Sequence, residues 1–86
     1  MTVYLVDEVH LDVAMAHASM DKEAHIVLLQ DAVYAALTGK VHGAAFALDV
    51  DVARRGLGGK MPRSIRVIGS SDLVQMMEKE KVVNFL

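Results

Sequence analysis

Four apolar runs punctuate the chain at nearly regular intervals: Thr2-Val3-Tyr4-Leu5-Val6, His25-Ile26-Val27-Leu28-Leu29-Gln30, Gly43-Ala44-Ala45-Phe46-Ala47-Leu48 and Ser64-Ile65-Arg66-Val67-Ile68-Gly69. Each has the length of a β-strand. The middle two are continuously apolar, the pattern of strands covered on both faces, whereas the first and last are less so. Between the runs the period changes. Leu11, Ala14, Met15 and Ala18 recur at helical spacing, as do Val33, Ala36 and Leu37; Val52 with Leu57 marks a short third piece, and Leu73, Met76 and Met77 a fourth.

The punctuation between these segments agrees with the pattern. Asp31, Asp49 and Ser70-Ser71 each stand after a strand and ahead of a helix, where a side-chain oxygen can cap free backbone amides. Thr38-Gly39-Lys40 closes the second helix and Gly56 the third, as C-terminal glycines do. The result is four successive strand-helix units over residues 1–86, read as one α/β domain. It is expected to be a three-layer sandwich: a four-stranded, mostly parallel sheet with right-handed crossovers and helices on both faces. Gly56 to Pro62 reads as a flexible surface loop. Val82-Val83-Asn84-Phe85-Leu86 is too apolar to fray, and is expected to dock on the sheet or on a neighbouring subunit.

Composition narrows the classes. Hydrophobic residues make up 53% of the 86, too many for a disordered chain of net charge −2. There is no cysteine, which removes disulfides, thiolate zinc sites, cysteine nucleophiles and persulfide chemistry from these residues. The apolar runs fall far short of the ~20 residues of a membrane span, and no secretory leader pattern opens the sequence. A cytoplasmic location is expected. A chain this short buries only about 60–65% of its extended surface, so the apolar surplus predicts a homo-oligomer, a dimer at least. Charge is divided unevenly. Residues 1–51 hold eight acids against Lys22 and Lys40, −6 in sum; residues 52–86 hold seven bases against Asp72, Glu78 and Glu80, +4 in sum.

Candidate chemistry follows from the topology, because ligands of open parallel sheets gather outside the carboxyl ends of the strands. That edge is expected to show Asp7, Glu8 and His10, then Gln30 and Asp31, then Asp49 and Asp51, then Ser70 and Ser71. Asp7, His10, Gln30, Asp31 and Tyr34 form the candidate cleft or interface. No catalytic residue, metal ligand or cofactor site is assigned. Gly56-Leu57-Gly58-Gly59 follows a helix and precedes a strand, the wrong place for a phosphate cradle. The four histidines are scattered, with His25 and His42 expected at the opposite edge. Arg54, Arg55, Lys60 and Arg63 form a candidate basic contact loop for phosphates or an acidic protein face, without interleaved aromatics to stack bases.

Two segments carry a resemblance. Leu28-Leu29-Gln30-Asp31-Ala32-Val33-Tyr34-Ala35-Ala36 and Ala47-Leu48-Asp49-Val50-Asp51-Val52-Ala53-Arg54-Arg55-Gly56-Leu57 are similar to the DsrH/TusB family of sulfur-relay proteins. The resemblance implies a DsrE/F/H-like fold and cytoplasmic work in sulfur transfer. It implies TusC/TusD-like or DsrE/DsrF-like partner subunits, whose cysteines carry the sulfur toward 2-thiolation of wobble uridine in tRNA or through sulfur oxidation. With no cysteine, this chain is expected to be a non-catalytic subunit that meets tRNA only indirectly. The alternative is a stand-alone homo-oligomeric module that holds a small ligand on the acidic rim.

Overall fold

The four apolar runs become β1 (Thr2–Val6), β2 (Ala24–Leu28), β3 (Ala44–Leu48) and β4 (Ile65–Ile68), and a fifth strand, β5 (Lys81–Phe85), joins them. The computed structural model describes residues 2–41 and 43–86. The strand order is β4-β3-β2-β1-β5, and every pairing is parallel. The helices are α1 (Leu11–Ala18), α2 (Asp49–Arg54) and α3 (Ser70–Lys79), with a 3₁₀ helix at Gln30–Leu37 between β2 and β3.

Handedness decides which face each helix covers. From β1 to β4 the chain steps always in the same direction, so right-handed crossovers put α1, the 3₁₀ helix and α2 on one face; the return from β4 to β5 puts α3 on the other. The packing agrees. Tyr4, Val6, Ile26, Leu28, Ala45 and Ala47 point to the first three helices and meet Leu11, Ala14, Val33, Ala36 and Val52. Val3, Leu5 and Val27 point the other way, toward Leu73 and Met76 of α3.

The fifth strand corrects the expected count of four. Lys81–Phe85 follows α3 after the single residue Glu80, so helical and strand periods run together in the sequence and hide the boundary. It lies beside β1, in register from Thr2 opposite Lys81 to Val6 opposite Phe85. Phe85 sets its ring edge-on to Tyr4, with centroids 6.1 Å apart. This placement makes β1 an interior strand, and Val3 through Val6 are all buried, against the expectation that the first run is less covered. Conversely β3 is well covered on one side only: Ala45 and Ala47 are buried while Phe46 and Leu48 are half-buried and Ala44 is exposed. One helix, α3, cannot cover a whole face.

Gly39 (φ 73°) and Gly56 (φ 65°) take the left-handed conformation just beyond the 3₁₀ helix and α2, as their positions predict. The stretch read as a flexible loop is tied down. Leu57 is buried, its N–H bonds to the Val52 carbonyl, and its own carbonyl accepts the Lys60 N–H. No helix among the described residues is long and apolar enough to cross a membrane.

Candidate functional site at the carboxyl edge of the sheet

β2 ends in a residue with unusual backbone geometry. Gln30 has φ 52°, the left-handed region that costs an ordinary L-residue about 1–2 kcal/mol. Its N–H is turned toward α2, where the Asp51 carboxylate accepts it at 2.8 Å. Asp51 is 7% exposed, the one charged residue in the core among the described residues. Arg55, at the C-terminal cap of α2, donates to the Asp51 carbonyl at 3.1 Å and reaches the Asp51 carboxylate at 3.7 Å. Its Nε donates to Asp31 at 2.8 Å. Thus Gln30-Asp31 and Asp51…Arg55, far apart in the chain, form a single lock. The Asp31 carboxylate is 58% exposed, so its pair with Arg55 contributes at most about 1 kcal/mol. The buried Asp51 contact is the structural centre.

Backbone geometry also explains where Tyr34 sits. A 3₁₀ helix has three residues per turn, so positions i and i+3 eclipse. Ala32 with Ala35 and Val33 with Ala36 form two buried rows, while Asp31, Tyr34 and Leu37 form an exposed ridge. Reading this segment with a 3.6 period places Leu37 inside, whereas it is exposed. Between this ridge and the start of α1 runs a shallow groove of about 220 Å³ lined by Glu8, Asp12, Asp31, Tyr34, Thr38 and Lys40.

At β1 the chain turns through Asp7 to His10. Asp7 Oδ1 accepts the His10 backbone N–H at 2.9 Å and lies 2.8 Å from the His10 Nδ1. The Asp7 carboxyl is held below its ordinary range, chiefly by that backbone N–H; desolvation, next in size, opposes it, and the His10 ring adds to the lowering. The Asp7 N–H bonds to the Phe85 carbonyl, which ties this turn to β5.

The five candidate cleft residues fall into two groups: Gln30, Asp31 and Tyr34 on the 3₁₀ helix, and Asp7 with His10 after β1. Gln30 and Asp31 belong to the lock beside α2, and Asp31 with Tyr34 belongs to the groove beside α1. Asp7 and His10 pair with each other. The capping expected of Asp31 and Asp49 is not made: Leu29 and Leu48 occupy the cap positions, and neither helix has a side-chain cap. Asp31 lies inside the helix and bonds Arg55 instead. In α3 the side-chain acceptor near the start is Asp72, which takes the Gly69 N–H at 3.4 Å, rather than either serine.

Of the basic loop, Arg54, Lys60 and Arg63 are exposed, but Arg55 is half-buried and committed to Asp31 and Asp51, so it is not a free contact residue. Asp51 is the residue whose importance the pattern underplays. It stands in an alternating Asp49-Val50-Asp51-Val52 segment, and a helical wheel placing Val52 inside brings Asp51 to the core boundary. His25 stacks on Phe46 on the α3 face, with ring centroids 5.8 Å apart; His42 lies outside the described residues. Among the described residues no group of three or more His, Asp or Glu is arranged to hold a metal ion.

No curated protein matches this chain by sequence. Among solved structures, the crystal structure of the ychN protein from E. coli is similar, with a TM-score of 0.72 and 17% identity over 98% of this chain and 97% of that one. At that identity the likeness is one of fold. The family described as DsrH like protein matches residues 8–83, which include both halves of the lock, in agreement with the resemblance carried by Leu28–Ala36 and Ala47–Leu57. The chain belongs to the DsrH-like family.

Proposed function

We propose that this chain, residues 1–86 acting as one domain, is a non-catalytic subunit of a cytoplasmic sulfur-relay complex. The observation that carries the reading is membership of the DsrH-like family by a chain without any cysteine. Persulfide transfer requires a thiolate to accept and release sulfane sulfur, and only cysteine supplies one. The sulfur must therefore reside on TusC/TusD-like or DsrE/DsrF-like partners, and the contribution of this subunit is surface and shape. 2-Thiolation of wobble uridine is the destination we favour, with tRNA contacted mainly by other subunits. On this reading Gln30, Asp31 and Tyr34, with the neighbouring Asp7 and His10, form an interface for a cysteine-bearing sibling. Exposed Arg54, Lys60 and Arg63 supply a basic flank for an acidic partner surface. Apolar side chains left outside, among them Val9, Val13 and Tyr34, support association, with copies of itself when siblings are absent.

Co-expression of this chain with the genes adjacent to its own tests the reading. A stoichiometric complex whose other members bear a persulfide detectable by thiol-specific labelling is expected. A homo-oligomer that ignores those partners, yet is stabilised by a small ligand, would replace the relay role with the binding-module reading.

A further inference from the structure

We propose that α3 and the open groove beside it form a self-complementary interface, into which a second copy of this chain lays its own α3 antiparallel. This contact makes specific the self-association proposed above, rests on that part alone, and is independent of the relay role.

The first observation is a missing layer. Parallel sheets are nearly always covered on both faces. Five strands at about 4.8 Å spacing make a surface about 20 Å wide, room for two helices of about 10 Å each. The α3 face carries one. None of the residues of α3 is buried; Leu73 and Met76 are half-buried against the sheet, while Val74 is 51% and Met77 39% exposed. Beside α3 lies a groove of about 340 Å³ lined by His25, Phe46, Arg66, Asp72, Met76 and Lys79. Its floor is the stacked His25 and Phe46 pair. Arg66, opposite Phe46 in the register, makes no ion pair among the described residues. The dimensions suit a helix.

The second observation selects which helix. Asp72 and Lys79 are two turns apart on the groove flank of α3, with opposite charges. A two-fold axis through the middle of α3 sets Asp72 against the partner's Lys79 and Lys79 against the partner's Asp72. The side of α3 turned away from its own sheet carries Val74 and Glu78, one turn apart. Inserted into the partner's groove, Val74 meets an aromatic floor and Glu78 meets a guanidinium. Apolar and charged positions of one surface thus find complements on the same surface of a copy, which is the requirement for a two-fold contact.

Sedimentation velocity over micromolar concentrations, with circular dichroism to verify folding, tests the contact. The wild type is expected to dimerise. Lys79→Glu and Val74→Glu, both at exposed positions, should each raise the dissociation constant by at least about tenfold. The double exchange Asp72→Lys with Lys79→Asp should restore it to within about threefold of wild type. A dimer indifferent to Val74→Glu and Lys79→Glu overturns this surface and leaves self-association standing. Weakening without restoration by the exchange overturns the antiparallel register, and a monomer throughout overturns self-association itself. None of these outcomes depends on whether sulfur-relay partners are recovered.

Discussion

The buried carboxylate of Asp51 holds the backbone N–H of Gln30 at 2.8 Å and thereby keeps a non-glycine residue in the left-handed region. Local strain and tertiary anchor are coupled, and substitutions at the two positions should separate them. Asp51→Ala leaves the Gln30 amide without its acceptor and is expected to cost about 2–3 kcal/mol in urea unfolding. Gln30→Gly relieves the strain and should be neutral or stabilising by up to about 1 kcal/mol. If the exposed carboxamide serves a partner, Gln30→Gly should nevertheless reduce recovery of sibling subunits. A Gln30→Gly variant that is stable and fully competent in co-purification would remove Gln30 from the interface.

Acid sensitivity should trace to two turns. Asp7 and Asp21 both titrate below the ordinary value of 3.8 in the folded protein, Asp7 chiefly through the His10 N–H and Asp21 chiefly through the Glu23 N–H. With the folded value lower, the unfolded state binds more protons, so their contribution is present above about pH 4 and is lost as pH falls through the folded values. Asp7→Asn should flatten the acid limb of a stability-pH curve, and an unchanged limb would contradict the assignment.

The alkaline limb has a separate origin. The Tyr4 hydroxyl donates to Asp21 at 3.1 Å, and burial first, then that bond and the carboxylate charge, raise its pKa above 10.0. A raised folded value leaves stability intact below pH 10 and erodes it as pH rises through the folded value. Tyr4→Phe should abolish this erosion, as followed by thermal unfolding between pH 9 and pH 11.

Two substitutions grade the core. Leu28 is fully buried on the central strand β2, and Leu28→Ala should cost about 2–5 kcal/mol. Phe85 is half-buried on β5 against Tyr4 and His17, and Phe85→Ala should cost less, about 1–3 kcal/mol. Equal losses would show that β5 is as integral as β2. No loss at Phe85 would show that the fifth strand is held weakly.

How much of this was legible in the sequence depended on whether the cause was local. The first four strands follow from apolar runs that any fold must bury, and Gly39 and Gly56 announced helix ends through backbone freedom alone. The 3₁₀ segment did not announce itself, since Ala-rich sequence suits either period and the left-handed Gln30 at its start is imposed by Asp51. β5 was visible as an apolar segment in need of a dock, but not as a strand, because its pairing partner is the most distant in the chain. Gln30 and Asp31 closely follow the end of β2, a position that the apolar run of that strand makes legible. Arg55 was read by charge as outward-facing; the contact that turns it inward joins two segments no local pattern connects.

The position of β5 bears on how the molecule is made as well as on how it stands. β1 is apolar on both faces, yet its outer hydrogen-bonding edge is satisfied only by β5, from which it is separated in sequence by the seven other elements. Until β5 pairs, that edge stays available to neighbouring chains. Pairing it requires closing the longest loop in the fold, an entropic cost that slows the final step. Sheet completion is therefore a late event in folding, and the edge of β1 is the part of the sheet left open longest before it.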